Sequence, residues 1–261
     1  MSASRHFYFE IESDEAASSD HVREGLAMKV LVVDVGGTHV KILASGQRVS
    51  RKFPSGPTLT AKQMVSGVKK LAGDWQYDVV SIGYPGAVVR HRPSAEPHNL
   101  GPGWVGFNFE KAFGRPVKIV NDASMQALGD YKSGKMLFLG LGTGLGSALI
   151  ADGVLMPMEL GHLPYRSGTF EDYVGLRGLK KWGQRKWRRL VADVVARLTA
   201  ALQAEEVVLG GGNVKKLKEL PPGSRACDNA NAFTGGFRMW NESNGRRPSS
   251  RKKNDETVHI A

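Results

Sequence analysis

Residues 30–38 read Val-Leu-Val-Val-Asp-Val-Gly-Gly-Thr, an apolar run that ends in an acidic residue and a glycine-rich turn. A second apolar run follows at residues 40–44, and the same arrangement recurs around the glycine-rich turn at residues 140–146. Short apolar runs on either side of a glycine turn are typical of two buried strands. Because one such unit lies in each half of the chain, we predict a duplicated α/β unit whose halves face each other across a cleft.

The remaining hydrophobic patterns alternate between strands and helices. Strands are predicted at residues 79–83, 117–120, 136–141, 147–151 and 207–209, and helices at residues 61–71, 123–129 and 190–202. Alternation of this kind indicates an α/β fold.

Composition limits the kinds of protein this can be. Cys227 is the only cysteine among the 261 residues, which excludes an internal disulfide and a cysteine-based zinc site and fits a reducing cytoplasm. No apolar stretch approaches the ~18 residues needed to span a bilayer. Residues 1–27 are polar and acidic, so we predict a disordered extension rather than a signal peptide. Residues 241–261 are predicted to be a disordered basic tail.

The positive charge lies in the middle of the chain. The formal net charge is +11, of which residues 1–27 contribute −4 and residues 241–261 contribute +2, so residues 28–240 carry about +13. A nucleic acid, a membrane surface or a polyanionic small substrate could each use such a charge, and a generally basic proteome would also explain it.

The first glycine turn is a candidate phosphate site. Gly36 and Gly37 leave backbone N–H groups open and Thr38 adds a hydroxyl donor, so an anion could bind there. Asp34 lies at the end of a buried strand, where holding a hydrated Mg²⁺ ion would explain a carboxylate. The spacing matches neither a helix-opening phosphate loop nor a dinucleotide fingerprint, and an ordinary hairpin remains the alternative.

Two further glycine clusters repeat this pattern. Gly142, Thr143 and Gly144 form the second turn, while Gly210, Gly211 and Gly212 follow an apolar strand. A glycine triplet after a strand permits close approach of a ligand. A loose turn is the alternative for the triplet.

Polar residues follow two other predicted elements. Asn121 and Asp122 stand between a strand and a helix, where Asp122 could be a catalytic carboxylate or merely a helix N-cap. Glu159 and His162 could bind sugar hydroxyls, although a lone histidine is more often structural.

In order and spacing, these motifs resemble the ROK family of sugar kinases, over roughly residues 28–240. The motifs on which this resemblance rests are Asp34-Val-Gly-Gly-Thr38, Asn121-Asp122, Leu141-Gly-Thr-Gly-Leu-Gly-Ser147, Glu159-Leu-Gly-His162 and Gly210-Gly-Gly212. The chain is most similar to the polyphosphate glucokinase branch. The resemblance implies an actin-like (ribonuclease H-like) two-domain fold, which we divide into an N-terminal α/β domain at residues 28–121 and a C-terminal α/β domain at residues 122–240.

The resemblance also implies roles for individual residues. It makes Asp122 the catalytic base that accepts the proton of a sugar 6-hydroxyl, and it makes the glycine clusters the phosphate-binding loops, with Mg²⁺ near Asp34. Sugar contacts are implied for Asn121, Glu159, His162, Glu171 and the loop Gly83-Tyr-Pro-Gly86, in which Gly86 is the residue expected to contact the sugar. Many family members bind zinc through a cysteine cluster after the histidine, but residues 163–171 contain no cysteine, so we expect no zinc. A homodimer is common in the family.

The phosphate donor is the open question. Basic residues interleaved with Trp182 and Trp187 crowd residues 177–189, and more lysines follow the glycine triplet. A row of cations would hold inorganic polyphosphate, alone or beside ATP, although charge runs are usually solvated helix faces and the tryptophans could be core. A nucleic-acid-binding module with an inactive cleft and a sugar-sensing protein without turnover are the competing hypotheses. We expect a glucokinase that binds neither membrane nor nucleic acid. The sequence does not separate glucose from mannose or another hexose.

Overall fold

The computed structural model describes residues 28–227 and 231–241. The predictions for residues 1–27 and for the tail from residue 242 onward lie outside the described residues. No helix in the described part of the chain is both long enough and apolar enough to span a membrane.

The chain begins with strands that build one sheet and a helix that covers it. In order, these elements are β1 (Val30–Val35), β2 (His39–Ala44), β3 (Arg51–Pro54), α1 (Ala61–Ala72), β4 (Val79–Tyr84), the short strands β5 (Val88–Val89) and β6 (Arg92–Pro93), α2 (Phe109–Phe113) and β7 (Val117–Asn121). Helix α1 starts with a capping box, in which the Thr60 and Gln63 side chains each accept from the other's backbone N–H.

The second part of the chain repeats this plan. Its elements are α3 (Asp122–Asp130), β8 (Lys135–Leu141), β9 (Leu145–Ala151), β10 (Val154–Met158), β11 (Pro164–Tyr165), β12 (Gly168–Thr169), α4 (Phe170–Val174), α5 (Leu176–Leu202), β13 (Glu206–Gly210), β14 (Ser224–Ala226) and α6 (Asn231–Arg238). Short 3₁₀ turns at Leu160–His162 and Val214–Lys216 complete it.

The two five-stranded sheets have equivalent topology. The first has the order β3-β2-β1-β4-β7 and the second has the order β10-β9-β8-β13-β14. In each, the first two pairings are antiparallel and the last two are parallel. The predicted duplication of an α/β unit is therefore confirmed. The predicted domain boundary falls where β7 ends and α3 begins, and it stays a prediction.

Three hydrophobic clusters hold the layers together. Helix α1 packs its buried face on the outer side of the first sheet, and α5 packs on the outer side of the second. A third cluster lies between the sheets, where Val32 of β1 and Phe138 of β8 pack with residues of α3 and α6. Burial of such clusters is the main force holding both sheets to their helices.

Helix α6 returns from the second half to the first sheet. It crosses α3 so closely that a Cβ on Gly129 or Gly235 would overlap the other helix's backbone, and Gly236 packs directly on Val32. The Ser81 hydroxyl of β4 donates to the Gly236 carbonyl at 2.6 Å. The Lys118 ammonium of β7 donates to the Met239 carbonyl at 2.7 Å. The last described residues are thus part of the first sheet's packing.

Helix α5 is longer than the sequence pattern indicates. The predicted helix covers residues 190–202, whereas α5 begins at Leu176 and is interrupted at Gly183, whose φ of 68° and ψ of 162° are not helical. The added basic turns still bury Leu179 and Trp187, and the Trp187 indole N–H donates to the Val174 carbonyl at 2.8 Å. Charged side chains around these two residues conceal the apolar stripe in the sequence.

Candidate active site

The carboxyl ends of β1 and β7 bring acidic and polar side chains to one edge of the first sheet. Strands β1, β4 and β7 run parallel, so Asp34 and the Asn121-Asp122 pair lie at the same edge. The Asp34 side chain is largely buried, at 17% exposure, and its carboxylate lies 3.5 Å from the Lys41 ammonium. Burial raises the pKa of Asp34, and the nearby Lys41 charge opposes that rise.

Asp122 is the first residue of α3, and Asn121 is its N-cap. The Asn121 side-chain oxygen accepts the backbone N–H of Ala123 at 2.9 Å, so the capping role that the sequence left open for Asp122 is filled by its neighbour. Asp122 accepts the same Ala123 N–H at 2.8 Å. Burial, and then the negative charge of Asp34, raise the pKa of Asp122 to about 7, and Glu159 adds to the rise. The three carboxylates are therefore close enough to repel one another.

Asn121 also fixes the loop that follows β4. Its side-chain amide donates to the Gly86 carbonyl at 3.1 Å. A Cβ on Gly86 would stand 2.9 Å from the ring of Tyr84, whose hydroxyl donates to the Ala95 carbonyl at 2.8 Å. Gly86 thus lies at the same edge as Asp122, held in place by the Asn121 side chain.

The first glycine loop connects β1 to β2 and is exposed. Its ends are held by the Gly36 N–H, which donates to the His39 carbonyl at 3.0 Å, and by the Ser55 hydroxyl, which donates to the Gly36 carbonyl at 2.5 Å. Gly37 and Thr38 are exposed. Asn99 lies beside Gly37, with its Cβ 3.6 Å from where a Gly37 Cβ would stand. The sequence analysis did not single out Asn99, because an asparagine in an irregular segment carries no periodic signal.

The second and third glycine clusters contact each other. Gly211, with φ of +85°, lies against the backbone of Leu141, and the Asn213 side chain donates to the Gly142 carbonyl at 3.0 Å. Asn213 is buried, at 8% exposure, and its own N–H donates to the Leu141 carbonyl at 3.0 Å. Asn213 was also missed by the sequence analysis, although an amide side chain directly after a glycine triplet is a recognisable signal for a residue that hydrogen-bonds to a loop and fixes it. Thr143 and Gly212 are exposed.

Glu159, His162 and Glu171 flank the second glycine loop. Glu159 and His162 bound a 3₁₀ turn and are exposed, whereas Glu171 is half-buried in α4. The Glu171 carboxylate lies so close to Gly144 that it would meet a Cβ there, and the Glu171 Cβ lies 3.5 Å from where a Gly161 Cβ would stand. Glu171 and the turn that contains Gly161 therefore lie against the second glycine loop.

The acidic residues at this edge of the first sheet are chemically suited to binding a magnesium ion. Mg²⁺ in phosphoryl-transfer sites is usually held by one or two carboxylates together with phosphates and water. Asp34 and Asp122 are neighbouring, partly buried carboxylates beside an open loop, and a divalent cation would relieve their mutual repulsion. Among the described residues, no group of three or more His, Cys, Asp or Glu side chains is placed to hold a metal ion. The expectation of no zinc stays a prediction.

The basic part of α5 starts at the second glycine loop. The Leu176 N–H donates to the carbonyls of Gly142 and Thr143 at 3.1 and 3.0 Å. From there the exposed cations Arg177, Lys180, Lys181, Arg185 and Lys186 run along the helix. Further along, the Arg188 guanidinium donates to the Lys216 carbonyl at 2.7 Å, which joins the helix to the segment after the glycine triplet. The cations are therefore continuous with both glycine clusters.

Comparison with known proteins agrees with this geometry. The sequence pattern that defines the ROK family matches residues 30–171 of this chain. The sequence is 28% identical over 236 residues to the polyphosphate glucokinase of Mycobacterium tuberculosis (strain CDC 1551 / Oshkosh), covering 81% of this chain and 86% of that protein.

Two solved structures share the fold. The inorganic polyphosphate/ATP-glucomannokinase from Arthrobacter sp. strain KM superimposes with a TM-score of 0.68 at 21% identity, covering 80% of this chain and 96% of that one. A ROK family glucokinase from Streptomyces griseus, in complex with glucose and AMPPNP, gives a TM-score of 0.66 at 17% identity, covering 81% and 98%. The predicted actin-like duplicated α/β fold is confirmed.

Proposed function

The chain belongs to the ROK family, and we propose that it is a sugar kinase that transfers a phosphoryl group from polyphosphate or ATP to the 6-hydroxyl of glucose. The observation that carries this proposal is Asp122, a carboxylate with a pKa near 7 beside Asp34, Glu159 and the loop anchored by Asn121. The relatives named polyphosphate glucokinase and glucomannokinase support the same reaction class.

Asp122 acts as the general base. A carboxylate with a pKa of about 7 accepts a proton more readily than an ordinary aspartate and is still about half ionised at neutral pH. As the 6-hydroxyl attacks the terminal phosphate, Asp122 removes its proton. Its position at the start of α3 is fixed by the Asn121 cap, which limits the motion of the base relative to the sugar.

The glycine loops bind the phosphates of the donor. Phosphoryl transfer needs positioning and charge neutralisation more than covalent catalysis. Gly36, Gly37, Gly142 and Gly144 allow the donor to approach the backbone, and the exposed hydroxyls of Thr38 and Thr143 can donate to phosphate oxygens. Gly210 and Gly211 shape the adjoining wall, and Gly212 is its exposed member.

Asp34 would hold Mg²⁺ at the first loop. When bound, the ion would neutralise charge on the phosphates. Lys41, which pairs with Asp34, orients the carboxylate and opposes the rise in its pKa that burial causes.

The sugar is held from both halves of the chain. Glu159, His162 and Glu171 offer carboxylate and imidazole groups to hydroxyls around the second loop, while Gly86 and Asn121 supply the opposite side. Contacts of this kind bind any hexose with suitably placed hydroxyls. The preference for glucose over mannose therefore rests on the names of the relatives.

Inorganic polyphosphate is a donor because cations continue away from the phosphate loops. Helix α5 begins on the second loop, and its exposed cations can hold further phosphates of a linear chain. The tryptophans between them do not favour the competing nucleic-acid module. Trp187 is fully buried, and Trp182 is half-buried, stacked on Tyr173 and covered by Lys186 at 3.7 Å from its ring centre. Neither ring is free to stack on a base. A cytoplasmic location and a homodimer are further parts of the proposal.

A sugar-by-donor activity matrix tests the proposal. Purified full-length protein would be given glucose, mannose or N-acetylmannosamine with ATP or polyphosphate of defined length, and hexose 6-phosphate would be measured. We expect product from glucose with both donors, and a steeper loss of the polyphosphate activity as salt rises. Glucose binding without product from either donor would instead identify a sugar-sensing protein. Product from ATP alone would remove polyphosphate from the proposal.

A further inference from the structure

A cavity of about 350 Å³ lies outside the proposed catalytic cleft. Its walls are the β5–β6 hairpin, residues 106–110 and the outer edge of β7. No residue assigned to the catalytic site lines it. Its volume is at the lower end of the range for pockets that take small molecules.

The hairpin that forms one wall contains an unfavourable turn. Val89 pairs with Arg92, so Arg90 and His91 form a two-residue loop, and both have positive φ, at 51° and 59°. Such turns favour Asn-Gly, and residues with larger side chains are unfavourable in this region of φ. The His91 ring is hydrogen-bonded to the Ile119 carbonyl at 3.0 Å, which fixes the turn on the edge of β7. The strained pair therefore places basic groups at the cavity rather than optimising the turn.

The charges on this wall are available to a ligand. Arg90 and Arg92 are exposed, and neither forms an ion pair with another described residue. Guanidinium groups bind phosphate through paired N–H donors, with stronger and more directional contacts than neutral donors give. Two of them at one cavity indicate an anionic group on the ligand.

The opposite wall has a different chemistry. The Phe107 and Phe109 rings meet edge to face at 4.8 Å and provide an apolar surface. Asn108 uses its side-chain oxygen to accept the Lys111 N–H at 2.8 Å, and its NH₂ group remains a donor. Glu110 adds a carboxylate that can accept hydroxyl groups. A ring face, an amide and a carboxylate together suit a hydroxylated body better than a bare phosphate.

We propose that this cavity binds a small phosphorylated polyol, such as a hexose monophosphate, as a site separate from the catalytic cleft. The phosphate lies on Arg90 and Arg92, the hydroxyls on Asn108 and Glu110, and the carbon face on Phe107. The assignment rests on the lining residues, whereas its link to glucose binding rests on the proposed function.

The proposed sugar-phosphate site is connected to the cleft through the chain and through hydrogen bonds. The hairpin starts one residue after the loop of Gly86 and is closed by the Ser94 N–H, which donates to the Ala87 carbonyl at 3.0 Å. Gly86 in turn accepts from Asn121, the residue that caps α3. A ligand that holds the hairpin therefore acts on the loop proposed to contact the sugar, and by linkage it alters glucose affinity.

Calorimetric titration of the full-length protein tests the site directly. Glucitol 6-phosphate, glucose 6-phosphate and inorganic phosphate would each be titrated in the presence of saturating glucose, which occupies the cleft. We expect both sugar phosphates to bind and inorganic phosphate to bind more weakly. In Arg90→Ala/Arg92→Ala, the affinity for glucitol 6-phosphate should fall about tenfold or more. Arg48→Ala, which removes an exposed arginine from the β2–β3 turn, is the matched control and should bind as the wild type does.

A second variant guards against simple misfolding. Arg90→Asn/His91→Gly supplies the residues that the turn favours, so we expect it to melt at a higher temperature and still bind glucitol 6-phosphate poorly. Wild-type affinity in both double variants would overturn the site. Glucose affinity that is unchanged by glucitol 6-phosphate in the wild type would overturn the link to the cleft. Both readouts are binding constants, so an inactive protein leaves them interpretable.

Discussion

The turns after β1 and β8 occupy equivalent places in their sheets but carry different chemistry. In the first sheet, Asp34 pairs with Lys41 one step before the turn closes, whereas Gly140 pairs with Gly146 at the corresponding step of the second. At this step the first turn therefore carries a carboxylate, and the second carries two glycines with no side chain. The comparison teaches that a duplicated framework can divide the work of phosphoryl transfer, with charge on one side and close approach on the other.

The two turns also differ in how they are held. The first is tied mainly to the strand end beside it, through Ser55. The second is tied from two separate elements, by Asn213 after the glycine triplet and by the N–H of Leu176 at the start of α5. A loop held by more hydrogen bonds loses less conformational freedom when a ligand binds, so we expect the second loop to be the more preorganised of the two proposed phosphate sites.

Removing the negative charge of Asp122 should have the largest effect, so it is the strongest test of this division between charge and close approach. We expect Asp122→Asn to lower kcat about 10²–10⁴-fold while glucose affinity changes only a few-fold, because the base is lost and the sugar contacts remain. Steady-state assays and glucose titrations measure the two effects. Asp152→Asn is the control, since Asp152 is an exposed turn residue with φ of 49° that asparagine adopts readily. Turnover of Asp122→Asn within about tenfold of the wild type would remove the assignment of the base.

The same variant should be more stable than the wild type. A carboxyl whose pKa is raised by folding destabilises the native state as pH rises from its unfolded value towards 7, because ionisation is then disfavoured only in the folded chain. Asn cannot ionise, so the free energy of unfolding at pH 7.5 should rise by about 1–2 kcal/mol after allowance for the partial exposure of Asp122. Urea denaturation at pH 5 and pH 7.5 measures this, with the smaller gain expected at pH 5.

The pH dependence of activity separates the charge of Asp34 from that of Asp122. In the wild type, kcat/KM should fall about tenfold per unit below a pH near 7, as Asp122 becomes protonated. Asp34→Asn removes the like charge that helps to raise the pKa of Asp122, so the acidic limb should move to lower pH even though the overall rate is reduced. Rate profiles from pH 5.5 to 8.5 test it. An acidic limb at the wild-type position in Asp34→Asn would show that the two carboxylates do not interact.

Two alanine substitutions probe the backbone side, where we expect the smallest effects on turnover. A Cβ on Gly142 would meet nothing within 4 Å, so Gly142→Ala should leave the melting temperature unchanged and raise the donor KM about tenfold by filling the space for phosphate. Gly211 has φ of +85° and lies on the Leu141 backbone, so Gly211→Ala should lower the unfolding free energy by about 1–3 kcal/mol. Thermal melts and donor titrations of both variants distinguish the loss of space for the phosphate from the introduction of backbone strain. An unchanged donor KM in Gly142→Ala would place the phosphates elsewhere.

The sequence could predict the duplicated framework because its signal is local. Each glycine turn stands between apolar runs, and the strand pairs β1–β2 and β8–β9 follow from that pattern. The placement of Asp122 beside Asp34 could also be expected, since Asp34 lies near the end of β1 and Asp122 follows β7, which is parallel to it in the same sheet.

Other features had no local signal. The Arg90-His91 turn lacks the Asn or Gly that marks a tight hairpin, and the packing of α6 on the first sheet is set by contacts such as Gly236 with Val32, more than 200 positions apart. Asn121 uses its side chain both to hold the Gly86 carbonyl and to cap α3, and this double role can be seen only in the three-dimensional structure. Residues act at this site through neighbours that are distant in the chain, and periodicity does not report such neighbours.

The return of α6 to the first sheet constrains the order of events on the ribosome. Val32 lacks its contact with α6, and the Ser81 hydroxyl lacks its acceptor, until Gly236 has been synthesised. Contacts of such high sequence separation form late and slow folding. The first sheet therefore completes its packing only after residues of the second half have been synthesised.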